Sequence, residues 1–220
     1  MQIEWSSFWL TVANATYETF LMVGISLIFA TCIGLPLGIA VVVTRPGHLL
    51  ENKIIFNILN PIINIIRSVP FIILLVAIIP FTRLLVHTSI GTTATIVPLV
   101  IFAAPYIGRL VETSLLEVDP GVIEAAESMG AKPRQIIFRV LLPEALSSLV
   151  LNITIATIGL IGATAMAGFV GGGGLGDLAI TYGYQMFKTD VMIVTVILLI
   201  VIVQLVQTTG NHLSRAIRRR

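Results

Sequence analysis

The sequence predicts an all-α integral membrane protein with five transmembrane helices, and three observations predict it. The chain has 220 residues, of which 56% are hydrophobic and 11% charged, whereas a soluble domain usually carries about 25% charged residues. Its mean hydropathy is +1.01, and the apolar residues gather into runs long enough for helices that cross a bilayer. The few charges cluster between those runs rather than among them. The chain therefore reads as a single domain, 1–220 with its core at about 16–207, with no room for a soluble domain beside it.

Each span needs about 20 mainly apolar residues. The first is expected at Phe20 to Val43 and the second, less clean, at Ser68 to Pro80. The third is expected at Thr92 to Ile107, the fourth at Leu146 to Val170 and the fifth at Val191 to Thr208. An odd number of crossings puts the two termini on opposite sides. Lys and Arg concentrate on the cytoplasmic side of membrane proteins. Arg45 and Lys53 follow span one; Arg109, Lys132, Arg134 and Arg139 follow span three; Arg215, Arg218, Arg219 and Arg220 follow span five. These ten fall on one side, against Arg83 and Lys188 on the other and Arg67 at an edge. The expected topology is N-terminus outside and C-terminus cytoplasmic. The leading segment agrees, with Glu4 and Glu18 but no Lys or Arg before span one. It also lacks the positive n-region of a cleavable signal. The basic tail reads as a topology anchor that touches anionic lipid. No aromatic or folded platform accompanies it, so no nucleic-acid partner is expected.

The spans differ in character. Span one has Gly34 and Gly38 at small-xxx-small spacing with Pro36 between them, either a packing face or a kink. Ahead of span two, Asn57, Asn60, Asn64 and Arg67 recur every three or four residues, one face of a helix. That helix either lies at the membrane interface with Arg67 snorkelling or turns its polar face to a water-filled path or a partner. Span three contains Pro98 and Pro105 on one face, which either bend it or pack. Span four has Gly159, Ala163 and Ala167 as a small-residue stripe, and Asn152, Thr154, Thr157 and Thr164 need polar partners in hydrocarbon. It belongs inside the bundle or along a path. Met166, near its outer end between Ala165 and Ala167, either helps close that path as a flexible plug or packs. Span five lacks Gly and Pro and reads as lipid-facing.

Several chemistries are excluded. Cys32 is the single cysteine, so no intramolecular disulfide forms, and it reads as a small buried hydrophobe. His48, His87 and His212 are scattered, with neither an HExxH spacing nor a GxSxG elbow in the chain. The run GFVGGGGLGDL, Gly168 to Leu178, is not a phosphate loop. None of Lys53, Lys132 and Lys188 follows a glycine, and no strand precedes the run. It is a hinge or a close backbone approach at the outer mouth, or else a turn before span five.

One polar interruption stands out: EAAESMGAKPRQIIFRVLLPEAL, Glu124 to Leu146. Asp119-Pro120 opens a short helix and Gly130 stops it. Glu124 and Glu127 lie three apart on one face, and Ala125 and Ala126 leave little bulk, so the helix can sit deep in a groove. Pro133 suits the first position of a second helix, with Ile136, Ile137, Val140 and Leu141 as its apolar positions. Pro143 is expected to break that helix before the fourth span, whose first turn then carries Glu144, where negative charge suits the dipole. Acidic residues are wrong for an anionic membrane surface and right for a basic protein partner.

Glu124-Ala125-Ala126, then Ser128 and Gly130, and finally Val140 and Leu142-Pro143 resemble the EAA loop of type I ATP-binding-cassette (ABC) importer permeases, with Val140 where that loop usually has Ile. The match covers 124–143 with fixed spacing. Further stretches, TRPG at Thr44 to Gly47, RSVPFIILLVAIIPFTRLLV from Arg67, SIGTTATIVPL from Ser89 and GGGGLG at Gly171 to Gly176, are similar to the permeases of methionine importers. The resemblance implies a non-catalytic chain in a bacterial inner membrane. It implies partners: a second copy, two cytoplasmic ATPase subunits that hold the ATP and Mg, and a substrate-binding lipoprotein. No cofactor is expected on this chain. It implies that Glu124, Ala125, Ala126, Glu127, Ser128, Gly130, Leu142 and Pro143 dock on the ATPase between spans three and four. Arg67, Asn152 and Met166 are the expected path or gate residues. A permease for another amino acid or a quaternary amine, or an uncoupled channel or scaffold, are the alternatives.

Overall fold

The computed structural model describes residues 5–218, so Glu4, Arg219 and Arg220 of the topology argument lie outside the described residues. Every regular element among them is helical. In order they are α1 Trp5–Thr44, α2 Lys53–Ser68, α3 Phe71–Ala77, α4 Ile79–Val86, α5 Thr92–Leu116, α6 Pro120–Ser128 and α7 Pro133–Ile136. A π-helical turn, Ile137–Leu141, leads into α8 Leu142–Ala167; then come a 3₁₀ turn, α9 Gly174–Leu178, a π-helical segment Ala179–Gln185 and α10 Thr189–Arg218.

Four helical runs are long and apolar enough to cross a membrane: Phe8–Thr44, Thr92–Leu116, Pro133–Val170 and Thr189–Arg218. A fifth exists only if the bent pair Lys53–Ser68 and Phe71–Ala77 is counted as one span. The single helix expected at 68–80 is absent. α3 has seven residues, about 10 Å of rise, against a hydrocarbon core of about 30 Å. The cause is local: Pro80 has no N–H and its ring clashes with the carbonyl four residues back, so the chain leaves the helix at Ile78 (φ −96°, ψ 9°) and restarts as α4.

The chain divides into two compact units. The first holds α1 up to Phe29, Val69–Ala103 and Thr157–Val206. Its core includes Met22, Phe71, Leu75, Leu99, Leu160 and Leu175, all buried, and Phe71 meets Phe102 edge to face at 5.2 Å. The second holds Ala30–Ser68, Ala104–Ala156 and the end of α10 from Gln207. There Gly34 and Gly38 resolve as a packing face. A Cβ on Gly38 would lie 2.5 Å from the Gly108 carbonyl oxygen, and one on Gly34 would lie 2.6 Å from that of Ala104. α1 continues through Pro36. At the other flank, the Ser147 and Ser214 hydroxyls bond to each other at 2.8 Å, the Ser214 hydroxyl also donates to the Ser147 carbonyl at 3.0 Å, and Gly210 abuts Thr154, so α8 and α10 approach closely through small residues.

α5 is the most buried of the four long runs (56%) and α10 the least (17%), as its unbroken apolar sequence implied. Cys32 departs from expectation: it is exposed on α1 rather than buried. An apolar residue on a membrane helix has lipid available on its outer face, so hydrophobicity alone does not point it inward.

Candidate coupling element

The polar interruption folds as α6, a tight stop and a second helix. The Asp119 carboxylate accepts the Gly121 N–H at 2.8 Å and Pro120 takes the first helical position, so α6 begins four residues before Glu124. It ends at Gly130, whose φ of 77° suits glycine alone without strain. The Gly130 N–H reaches the Glu127 carbonyl at 2.8 Å and the Ala131 N–H reaches that of Ala126 at 3.1 Å, the paired bonds of a Schellman stop.

Glu124, Ala125, Glu127, Ser128 and Gly130 are exposed. Neither glutamate has an ion-pair partner among the described residues. Ala126 differs from its neighbours. It is 3% exposed and faces into this chain, where α6 packs on α7 and the π-helical turn. Its small side chain seats α6 on its own protein, so of the two alanines expected to face a groove only Ala125 is exposed. Sequence reasoning passed over Met129, 81% exposed at the end of the same helix.

After the stop, the Lys132 N–H is capped by the Gln135 side-chain oxygen at 2.8 Å, and Ile136, Ile137 and Leu141 turn inward. The break expected at Pro143 does not occur. Pro133 to Val170 is one helical run of 38 residues. The reason is the π-helical turn immediately before the proline, in which the Leu142 N–H bonds to the Ile137 carbonyl five residues back. The wider turn makes room for the Pro143 ring and absorbs its missing donor. Leu142 is half-buried and Pro143 exposed. The second half of the element is thus mechanically part of the fourth span.

A cleft of about 560 Å³ opens beside this element, bordered by Glu117, Asp119, Glu144, Ser148, Asn152 and Arg218, with Leu151 and Ile155 as apolar lining. Asn152 lies on this cleft, and its amide donates to the Leu110 carbonyl at 3.2 Å and the Ser114 hydroxyl at 2.7 Å. Ser148 donates to Glu117 at 2.6 Å. Arg67 is exposed on α2, its guanidinium 5.9 Å from the Tyr106 ring centroid. Met166 belongs to the other unit and is 50% exposed.

Two constructions were missed from sequence. Glu112, on α5, is 5% exposed and pairs with Arg109 and, at 3.8 Å, with Arg45. Arg109 also donates to Asn60 at 3.1 Å, so the asparagine face of α2 turns to its own chain at that residue. The Arg109/Glu112 spacing of three on a helix was the available signal. The glycine-rich run is the other. The Gly174 N–H bonds to the Glu18 carboxylate at 2.7 Å and the Leu175 N–H to the Thr19 hydroxyl at 2.9 Å. Gly173 and Gly174 have φ of 80° and 77°, and Gly168 meets the Gly176 backbone closely. It is an anchored turn rather than a free hinge.

Residues 30–219 match the family described as binding-protein-dependent transport system inner membrane component. The chain belongs to that family. It is a multi-pass inner-membrane component of a transport system and not an enzyme. Its relatives include the probable D-methionine transport system permease protein MetI of Vibrio cholerae, 50% identical over 94% of this chain and 92% of that one. The methionine import system permease protein MetP of Bacillus subtilis is 47% identical over 94% and 93%. A solved inward-facing MetNI methionine ABC transporter contains a chain that superposes with a TM-score of 0.93, at 47% identity and 99% coverage of both.

Proposed function

We propose that this chain is the permease of an ATP-driven methionine importer, with its N-terminus outside, its C-terminus in the cytoplasm and residues 124–143 as the element on which a separate ATPase acts. The observation that carries the coupling reading is the exposed, unpaired Glu124 and Glu127 on a short helix that is stopped by Gly130 and followed by one uninterrupted helix into the membrane. Two acidic side chains without an ion-pair partner among the described residues suit a basic docking cleft, and Ala125 and Ser128 beside them leave space for close approach. The distribution of Lys and Arg supports the orientation, and the methionine named for its relatives supports the substrate.

In this reading two copies of the chain form the path, two ATPase subunits hold the ATP and Mg, and a binding protein delivers the solute. The chain's own residues do three things. Glu124, Ala125, Glu127, Ser128 and Gly130 receive the ATPase. Leu142 and Pro143 carry the displacement into α8. Asn152 and Arg67 in one unit are candidate polar residues of the path and Met166 in the other a candidate flexible one; the path alternates between two openings.

The test is Glu124→Lys in the reconstituted importer, scored as ATP-driven uptake of labelled methionine into vesicles. Truncating one member of a buried charge pair costs about 2–5 kcal/mol, and reversing its sign adds repulsion, so uptake should fall steeply. Uptake equal to wild type would remove Glu124 from the docking face, and uptake of a different solute in preference to methionine would overturn the substrate.

A further inference from the structure

We propose that Glu112 is a positioning residue for energy coupling: its carboxylate ties the end of α5 to the α1–α2 turn and fixes Arg109, which holds α2, so that a displacement of α6 moves these segments together instead of bending α5. The inference rests on the reading of α6 as the element the ATPase moves.

The geometry is specific. The Glu112 side chain is 7% exposed, and its two oxygens go to different arginines: Oε2 accepts from Arg109 and Oε1 faces Arg45 Nη1 at 3.8 Å. Arg109 Nη1 reaches on to Asn60 Oδ1 at 3.1 Å. Arg45 lies just after α1, Asn60 on α2, and Arg109 and Glu112 on α5. The buried acid therefore joins α5 to the residue after α1, and the arginine it holds on α5 reaches α2. It sits one turn from the end of α5 at Leu116, and only residues 117–119 separate that end from α6. The opposite side of the same turns is held to α8 by Asn152, on Leu110 and Ser114, and by Ser148, on Glu117. The last two turns of α5 are thus clamped on two sides. A buried acid kept where two cations converge costs desolvation. Apolar packing alone would hold the segments without that cost, but it would allow them to slide, whereas the Arg45–Glu112 pair and the Arg109–Asn60 bond fix one register.

The experiment uses the complete importer in vesicles, with methionine uptake and ATP hydrolysis measured on the same preparation for wild type, Glu112→Gln, Glu112→Asp and Arg45→Gln. Expected is continued hydrolysis in Glu112→Gln with uptake per ATP lowered roughly fivefold or more, in the range of an inter-site coupling loss, and partial recovery in Glu112→Asp. If Glu112→Gln lowers uptake and hydrolysis in equal proportion, the residue only supports folding and the inference fails. Should Glu112→Gln not assemble, Arg45→Gln carries the test, because it leaves the Arg109 pair in place. A lowered uptake-to-hydrolysis ratio there supports the clamp, and a wild-type ratio overturns it. Wild-type vesicles that hydrolyse ATP without any uptake would overturn the reading of α6 and this inference with it. A coupled wild type with an unchanged ratio in the variants overturns the inference alone.

Discussion

Replacing Gly38 by Ala adds one methyl group to α1, and the surroundings decide what it does. The new carbon would stand 2.5 Å from the Gly108 carbonyl oxygen, 2.6 Å from Val111 Cβ and 2.7 Å from Val111 Cγ1. Ordinary carbon contacts lie at about 3.5–4.0 Å, so α1 and α5 must separate by about 1 Å. Neither a backbone carbonyl nor a Cβ can rotate aside, which places the overpacking cost near the top of the usual range, about 3 kcal/mol. Alanine recovers about 1 kcal/mol of helix propensity, leaving a net loss of about 2 kcal/mol on these two figures. Gly24 on the same helix is the control, since a Cβ there meets nothing within 4 Å. Gly24→Ala should keep or gain up to about 1 kcal/mol. The assay is the thermal midpoint of the detergent-purified protein, followed by loss of helical circular dichroism. Gly38→Ala should melt below wild type and Gly24→Ala at or above it. Equal midpoints for the two variants would refute the tight approach of α1 and α5 as the reason for glycine at 38.

The anchored glycine-rich turn and the α1–α2 turn give two more tests. Glu18→Ala removes the charged acceptor of the Gly174 N–H, a bond worth about 1.5–3 kcal/mol, so amide exchange at Gly174 and Leu175 should rise roughly ten- to a hundredfold. Hydrogen-exchange mass spectrometry with no change there would mean that Thr19 and packing hold the turn unaided. His48 is held below its ordinary value of 6.5 by burial and then by the Arg45 charge. The unfolded chain therefore binds the proton more readily than the folded one. The stability that the neutral imidazole contributes is complete above pH 6.5 and is lost as pH falls from there toward the lowered folded value. His48→Gln should flatten the fall of the thermal midpoint across that window. A wild-type midpoint whose pH dependence matches that of the variant would show that His48 does not report on the turn.

Composition and residue order by themselves determined that this is a helical membrane protein and where the helix of the polar interruption stops. These depend on short-range physics. Hydrocarbon accepts only backbones that satisfy their own hydrogen bonds, and Gly130 and Pro133 act on their immediate neighbours. Three-dimensional packing decided the rest. A proline breaks a helix unless a π-helical turn makes room for it, and nothing in the residue types around Pro143 announced that turn. Ala125 and Ala126 are identical in sequence, yet one is displayed and the other buried, because only the contacts of α6 with the next helix fix its rotation. Arg45 read as a topology charge until the fold brought Glu112 of α5 beside it; the Arg109 half of that pair lies within one helix, but the Arg45 half joins two segments and neither contains it. Cys32 faced outward because a membrane removes the rule that apolar means interior. The run of glycines read equally as hinge or turn until Glu18 and Thr19, 156 residues away in the chain, supplied the two acceptors that hold it.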